Sequence, residues 1–508
     1  MSKYYLRVEA VNLSNFVYDT HDISTIRGGS YLLLDAIESM ADQFKGRLEP
    51  ITLAASQGLF WFETSSSDPD IDCRQIEQDV LAYLAAKTGG HSTFLAATQV
   101  DIPKNFPQVL EKLEAQIHWQ QWHMPTVTIP NRETTDKECY LDGWRPGVID
   151  YNVDPSVGDA RISTATYYRR QEGRKIKHRL FFEILGDEQY LGQISVKDLG
   201  ELSQDSTKGI LNGKIAYIHV DGNSFGSIRR KLCNSEEDRK GFDDTIQTGF
   251  RIPFLKALLE WAKSDPDFQT YDMQGKIALR LEVLLWGGDE MTLVVPAWMG
   301  LRVAQLFFEH TENLQFKDLS LSHRAAVIFC HHNAPILLVR QLAEQMLDRT
   351  KTDIKATLQD TPEFQSCNQQ EQEKLISLVS SHTYGDALHY LVLESFDLLQ
   401  GELDDFLGSY YKGIDYKKLL ITAVELGTIF DALKIIRSNI PRGKALKIID
   451  AVQEQKFGEV DSLTKEVIKL IPLEEQTLVA RAIEILTQAG QDHARWYLAT
   501  DLWDYIPE

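Results

Sequence analysis

Trp286-Gly287-Gly288-Asp289-Glu290 stands between two apolar runs, Ile277–Leu285 and Met291–Pro296. Two glycines between strand-like runs predict a tight hairpin, whose turn needs a positive φ that other residues adopt only at a steric cost. The two carboxylates that follow are harder to explain by packing. Buried side by side they would repel and resist ionisation unless a cation compensates them. A third carboxylate lies upstream, where the apolar run Ile215–Val220 ends in Asp221-Gly222-Asn223-Ser224-Phe225-Gly226. An acid at one strand end and an acid pair on a nearby hairpin form a pattern that can hold divalent metals against nucleotide phosphates.

Working outward, the hairpin belongs to a strand and helix order that occurs twice. In the first copy Tyr4–Val11 is strand-like and Ile23–Phe44 has helical periodicity. Ile51–Ala55 and Leu59–Glu63 flank a turn, Ile71–Lys87 is helical, and Phe94–Ile102 closes as a strand. That is the βαββαβ, ferredoxin-like order. Lys214–Val220, a helix from Ser224 with an insertion around 232–245, the hairpin 277–296, helix Gly300–Glu312, strand Arg324–His331 and helix Pro335–Lys351 repeat it. The first copy has Gln57-Gly58 where the second has Gly288-Asp289, so it lacks the acids and reads as chemically silent. From Glu371 onward the spacing is helical, in 386–399, 416–438, 443–454, 462–470 and 474–489. The expected fold class is therefore α+β: two ferredoxin-like domains in tandem with a C-terminal all-helical domain. The expected divisions are 1–124, a connecting region 125–211, the acid-bearing domain 212–355, and a helical domain 371–508.

The 508 residues are 43% hydrophobic and 10% aromatic, enough for several cores. No run approaches the roughly 20 apolar residues of a membrane span, and the start has no signal-peptide pattern. Five scattered cysteines form neither a disulfide framework nor a CxxC knuckle, so a cytoplasmic, reduced setting is expected. A net charge of −21 argues against sequence-independent nucleic-acid binding over the whole surface. Arg169-Arg170 with Arg174-Lys175-Ile176-Lys177-His178-Arg179 is the densest basic stretch. It reads as a solvated hairpin with charged rims or as an RNA or phosphate contact. Arg27-Gly28-Gly29-Ser30 reads either as a nucleotide contact or as close helix packing.

At these motifs the chain resembles the large polymerase-like subunit of type III CRISPR effector complexes, whose tandem palm domains share a ferredoxin-like core. The matching segments are Asp221-Gly222-Asn223-Ser224-Phe225-Gly226, Gly287-Gly288-Asp289-Glu290, and the strand-to-helix passage Ala325–Ile336 followed by Leu342–Leu347. GGDEF-type diguanylate cyclases share the palm core and hairpin more distantly. Four departures stand out. Asn223 replaces a frequent second Asp, and Glu290 replaces an Asp. No nuclease domain appears, His21-Asp22 being the sole His-Asp dipeptide, and Cys139 lacks a nearby partner for a zinc element.

The resemblance implies a palm-type nucleotidyltransferase that turns ATP into a cyclic oligonucleotide messenger in antiviral defence. It implies Mg²⁺ or Mn²⁺ in a two-metal site, with both palms lining one paired-nucleotide site. Joining nucleotides in this way needs metals roughly 3.5–4 Å apart. Asp221, Asp289 and Glu290 are the expected catalytic and metal-holding acids. Gly222, Asn223, Ser224, Phe225, Gly287, Gly288 and Lys351 are the expected nucleotide contacts, with Ser224 and Phe225 opening a helix N-terminus. Duller roles stand beside these: a turn or cap for Asp221, a solvated hairpin tip for Asp289 and Glu290, an exposed helix-end lysine for Lys351. Two other functions remain open. One is a non-catalytic scaffold for RNA and other effector subunits; the other is a GTP-using cyclase of the diguanylate type.

Overall fold

The computed structural model describes residues 2–54, 56–65, 67–124, 137–154, 158–190, 195–271, 275–359, 386–394, 403–412, 414–490 and 492–506, with no side-chain surroundings for 154, 159 and 350–359. The chain is a mixed α+β protein with a helical C-terminal region. It divides into two compact units built from interleaved segments. One comprises Met1–Ile194, Phe225–Ile252 and Val283–Thr292; the other comprises Ser195–Ser224, Pro253–Glu282 and Leu293–Glu508.

In the first unit the elements run β1 (Ser2–Val11), α1 (Ile23–Gln43), β2 (Glu49–Ala54), β3 (Gln57–Thr64), α2 (Pro69–Lys87) and β4 (Thr93–Val100). The strands lie in the order β2-β3-β1-β4, every neighbour antiparallel. Alternating residues give each strand two apolar faces. Tyr5, Leu59, Leu95 and Ala97 pack against Val109, Leu113 and Ile117 of α3 (Phe106–His123). Asp22 caps α1 by accepting the Thr25 N–H at 2.9 Å.

Helix α4 (Thr164–Ile176) overturns the hairpin reading of the basic stretch. Arg169 and Arg170 face inward, whereas Arg174 and Lys175 are exposed. Arg169 is fully buried and grips Asp19 with both ends of its guanidinium, at 2.7 and 3.1 Å, and Arg170 pairs with Asp22 at 3.1 Å. These two residues hold α4 to the α1 side of the unit and are not open to RNA. Gly28 resolves in favour of helix packing as well. A Cβ there would lie 1.9 Å from the Arg169 carbonyl oxygen, and one on Gly173 would lie 1.8 Å from that of Ser24. The two helices touch backbone to backbone. The unit also contains α5 (Phe225–Leu232) and α6 (Glu236–Ile246), the expected insertion, which continues into a single π-helical stretch at Gln247–Arg251.

The second sheet takes β5 (Lys214–Gly222), β6 (Glu282–Gly287), β7 (Glu290–Pro296), β8 (His323–His331), β9 (Ala387–Val392) and β10 (Ile421–Thr422), in the order β6-β7-β5-β8-β9-β10. Its first four positions repeat the connectivity of the first sheet. The upstream arm of the expected hairpin is shorter than its apolar run suggested. Ile277–Leu279 pairs with Gln269–Tyr271 instead, and β6 begins only at Glu282. In the second unit, β8 runs antiparallel to β5 and parallel to β9.

Strand β9 corrects the helical reading of 386–399 over 387–392, and 395–399 lie outside the described residues. Ala387–Val392 is buried on both faces, and a short unbroken apolar run has no periodicity to separate strand from helix. Helices α7 (Ile252–Ser264), α8 (Gly300–Thr311) and α9 (Ile336–Gln359) follow the order above. The C-terminal helices are α10 (Ala423–Asn439), α11 (Arg442–Gln453), α12 (Phe457–Lys469) and α13 (Leu473–Leu486). Residues 371–385 of the expected helical domain lie outside the described residues.

Candidate functional site

The hairpin forms as the glycines predict. Gly288 and Asp289 make a two-residue turn between β6 and β7, and Gly288 takes φ +53°, the left-handed region that glycine enters freely. Asp289 is half-buried and Glu290 points to solvent. The turn is fixed from beneath by a residue the sequence reading did not single out. Arg251, 2% exposed, donates from Nη1 to the Gly288 carbonyl oxygen at 3.3 Å, and its guanidinium carbon lies 4.5 Å from the Trp286 ring centroid. Its Nε and Nη2 have no hydrogen-bond partner among the described residues. Burial pulls this guanidinium down to about 9, against the opposing pull of Asp289 and Glu38. Glu38, on α1, is itself pushed up to about 7 by burial and by Asp35, Asp42 and Glu183.

Beside the turn is a cavity of about 100 Å³. Four pieces of the first unit wall it: Leu53 and Ala54 at the end of β2, Phe225, Gly226 and Arg229 on α5, Phe242, Asp243, Ile246 and Gln247 on and after α6, and Gly288 and Asp289 at the hairpin tip. Phe225-Gly226 and Gly288-Asp289, whose nearer glycines stand 62 positions apart in the sequence, thus contribute to one concave wall. The carboxyl of Asp243 is pushed up to about 6 by burial, with Arg229 and Arg239 opposing, and its Oδ2 is buried with no hydrogen-bond partner among the described residues. Asp243 carried no signal in the sequence, because an acid in a charged helix reads as solvated.

The other half of the upstream motif lies in the second unit. Asp221 is half-buried near the end of β5, directly opposite Arg324 on β8, so the two side chains share a face of the sheet. Arg324 is 2% exposed. It donates from Nε to the Asn223 side-chain oxygen and from Nη1 to the Leu347 carbonyl at 3.2 Å. Burial holds the Arg324 guanidinium below its usual value, with Asp221 and Asp348 opposing. Asn223, 1% exposed, donates its amide to the Ser322 hydroxyl at 2.9 Å. Both ends of the asparagine are thus engaged inside the fold. Gly222 ends β5, and Ser224 turns the chain at φ +60°.

Of the expected site residues, the structure brings Phe225, Gly288 and Asp289 to one cavity. Gly287 and Glu290 flank the turn without lining that cavity. Asp221, Gly222, Asn223 and Ser224 lie in the second unit around Arg324. Lys351 is on α9, and its side chain lies outside the described residues. Among the described residues, no group of three or more His, Cys, Asp or Glu side chains is arranged to hold a metal ion. Nor is any described helix long and apolar enough to cross a membrane.

No family model matches the sequence, and no curated protein matches it. Among solved structures the chain is similar to Csm1. The crystal structure of Csm1 in T.onnurineus shares 12% identity at a TM-score of 0.42, covering 69% of this chain and 52% of that one. The Csm1–Csm4 cassette in complex with cA4 gives 12% identity and 0.42, and the cassette with one ATP gives 12% and 0.41, each covering 69% of this chain and 53% of the other. The chain spans about half the length of the solved chains it matches.

Proposed function

We propose that the chain is a palm-type nucleotide-binding protein whose hairpin cavity, about 100 Å³, seats one end of a nucleoside triphosphate, ATP in the first instance, within a type III CRISPR-type effector assembly. The observation that carries this reading is the meeting of Phe225-Gly226 with Gly288-Asp289 in one cavity. Packing alone gives no reason for a helix start, a glycine turn and two carboxylates to converge on open space. Leu53 and Ala54 bring the end of the first sheet's hairpin to the same wall, in keeping with two palms that share a nucleotide site. Apolar walls with a few convergent polar groups are the usual make-up of a small-molecule site.

In its catalytic form the reading makes the chain a nucleotidyltransferase. Asp221, Asp289 and Glu290 are then the acids for Mg²⁺ or Mn²⁺, and Gly222, Asn223, Ser224, Gly287 and Lys351 are further nucleotide contacts. The residues present do not fit that metal centre. No three ligating side chains are grouped among the described residues, and Asp221 and Asp289 each interact electrostatically with a buried guanidinium. No chemical step is therefore drawn through a metal. The same observation favours a second reading, in which the chain binds nucleotide as a non-catalytic subunit.

Incubating the purified chain with each labelled ribonucleoside triphosphate and Mg²⁺ or Mn²⁺, beside the Asp289→Ala/Glu290→Ala variant, separates the two. A product made by the wild type and lost in the variant establishes transfer and names the base. Nucleotide binding by calorimetry without any product supports the second reading. If no triphosphate binds, both readings fall.

A further inference from the structure

Two of the three motif acids, Asp221 and Asp289, already have a buried cation as an electrostatic neighbour. Arg324 sits across the strand pair from Asp221, nearly fully buried, and is tied in place by the Asn223 side chain and the Leu347 carbonyl. In the first unit, Arg251 is equally buried beneath the hairpin, tied to the Gly288 carbonyl and stacked on Trp286, with Asp289 as an electrostatic neighbour. A guanidinium is charged at all working pH values and cannot leave as an ion can. A carboxylate that faces one has its charge met from inside the fold. A divalent ion arriving at such a group gains less attraction and meets a fixed positive charge nearby.

Asn223 makes the same point chemically. An aspartate there would add negative charge to receive an ion. The asparagine instead accepts from Arg324 through its oxygen and donates to Ser322 through its nitrogen, a division of labour that a carboxylate without a proton cannot perform. The departure from the expected Asp is thus matched by its surroundings. Arg251 adds an independent sign: two guanidinium nitrogens, Nε and Nη2, are buried with no hydrogen-bond partner among the described residues.

We infer that buried arginines stand in for divalent ions in this protein, so that it binds its nucleoside triphosphate without a metal. This rests on the nucleotide reading of the hairpin cavity. Arg324 neutralises Asp221 within the second unit. Arg251 fixes the hairpin turn and supplies positive charge behind Asp289 in the first. Asp221 is on this account a structural acid.

The test uses the full chain with two probes. A fluorescent ATP analogue is titrated in Mg²⁺ and again in EDTA, and Mn²⁺ alone is titrated by electron paramagnetic resonance, where protein-bound ion loses the free-ion signal. The expected result is an ATP-analogue Kd that shifts by less than about threefold between Mg²⁺ and EDTA, with no Mn²⁺ uptake at motif acids. Arg324→Met, checked for folding by circular dichroism, should gain Mn²⁺ binding by uncovering Asp221. Binding of the analogue that needs Mg²⁺, or Mn²⁺ uptake by the wild type that Asp221→Ala abolishes, overturns the inference and leaves the nucleotide reading intact. Failure of the analogue to bind under either condition overturns the nucleotide reading itself, and the inference with it.

Discussion

Replacing Gly28 by alanine should be among the most damaging single-methyl changes in the first unit. The new Cβ would lie 1.9 Å from the Arg169 carbonyl oxygen, 2.7 Å from the Gly173 nitrogen and 2.8 Å from the Arg169 carbonyl carbon. All three are backbone atoms, so no side chain can swing aside. Restoring ordinary contact requires α1 and α4 to separate by on the order of 1.5 Å. That separation strains the Arg169–Asp19 and Arg170–Asp22 pairs and the Arg27 bond to the Gly173 carbonyl at 2.8 Å. Overpacking of this kind costs about 1–3 kcal/mol where side chains can give way, and the backbone contact places Gly28→Ala at or above the upper end. Gly29→Ala is the internal control. Its Cβ would meet the Val17 Cα at 3.2 Å and the Phe16 oxygen at 3.3 Å, contacts that a shift of tenths of an ångström relieves. Hydrogen exchange read by mass spectrometry on peptides from 23–43 and 164–176 would resolve the two. Gly28→Ala should speed exchange in both helices while Gly29→Ala changes little. If both variants exchange like the wild type, the helices are not in backbone contact at Gly28 and the packing argument is wrong.

Asn223→Ala should destabilise the second unit by about 1.5–3 kcal/mol, because it strips a charged donor of its acceptor inside the fold; a urea midpoint unchanged from wild type would contradict that role. Arg251→Met should retain the stack on Trp286 in part but lose the bond to the Gly288 carbonyl, weakening ATP-analogue binding by about tenfold, an effect that fluorescence titration would show or refute. Asp243→Asn should leave the fold intact and flatten any change in nucleotide affinity across pH 5–7, since the Asp243 carboxyl is pushed up to about 6; an unaltered profile would remove Asp243 from the site.

The parts of the fold legible in the sequence were those with an unambiguous period. α1, α2 and the strands of the first sheet lie within a few residues of their expected positions, because amphipathic spacing and turn residues agree there. Strand β9 was not legible, since Leu388, Tyr390 and Leu391 are buried alongside Ala387 and His389 and no polar alternation marks either face. The pair Arg169-Arg170 misled for a different reason, while Arg174, Lys175, His178 and Arg179 are exposed. Charge in a sequence reads as solvent, and only the fold reveals Asp19 and Asp22, some 150 residues earlier, as partners. The hairpin turn was legible because two glycines between strand-like runs have few other uses. Arg251, Asp243 and Arg324 were not, since each owes its role to neighbours far away in the chain.

Asp501 shows the same principle in the second unit, and gives a prediction whose sign can be worked through. Its carboxyl is buried and accepts from the hydroxyls of Tyr390 at 3.1 Å, Tyr411 at 3.0 Å and Tyr410 at 3.0 Å. Three donors would ordinarily hold an acid low, but burial outweighs them and pushes it up to about 6, from an unfolded value of 3.8. Between those values the folded chain binds the proton and the unfolded chain releases it. Stability from this group is therefore fully present below pH 3.8, falls as pH rises, and levels off above about 6. The full swing is on the order of 3 kcal/mol. Asp501→Asn keeps the shape and can still accept a tyrosine hydrogen bond but does not ionise, so it should remove this slope. Urea midpoints measured from pH 4 to 7 on both proteins test it. A wild-type curve no steeper than that of the variant would mean that the three hydroxyls win over burial and that Asp501 stays ionised throughout.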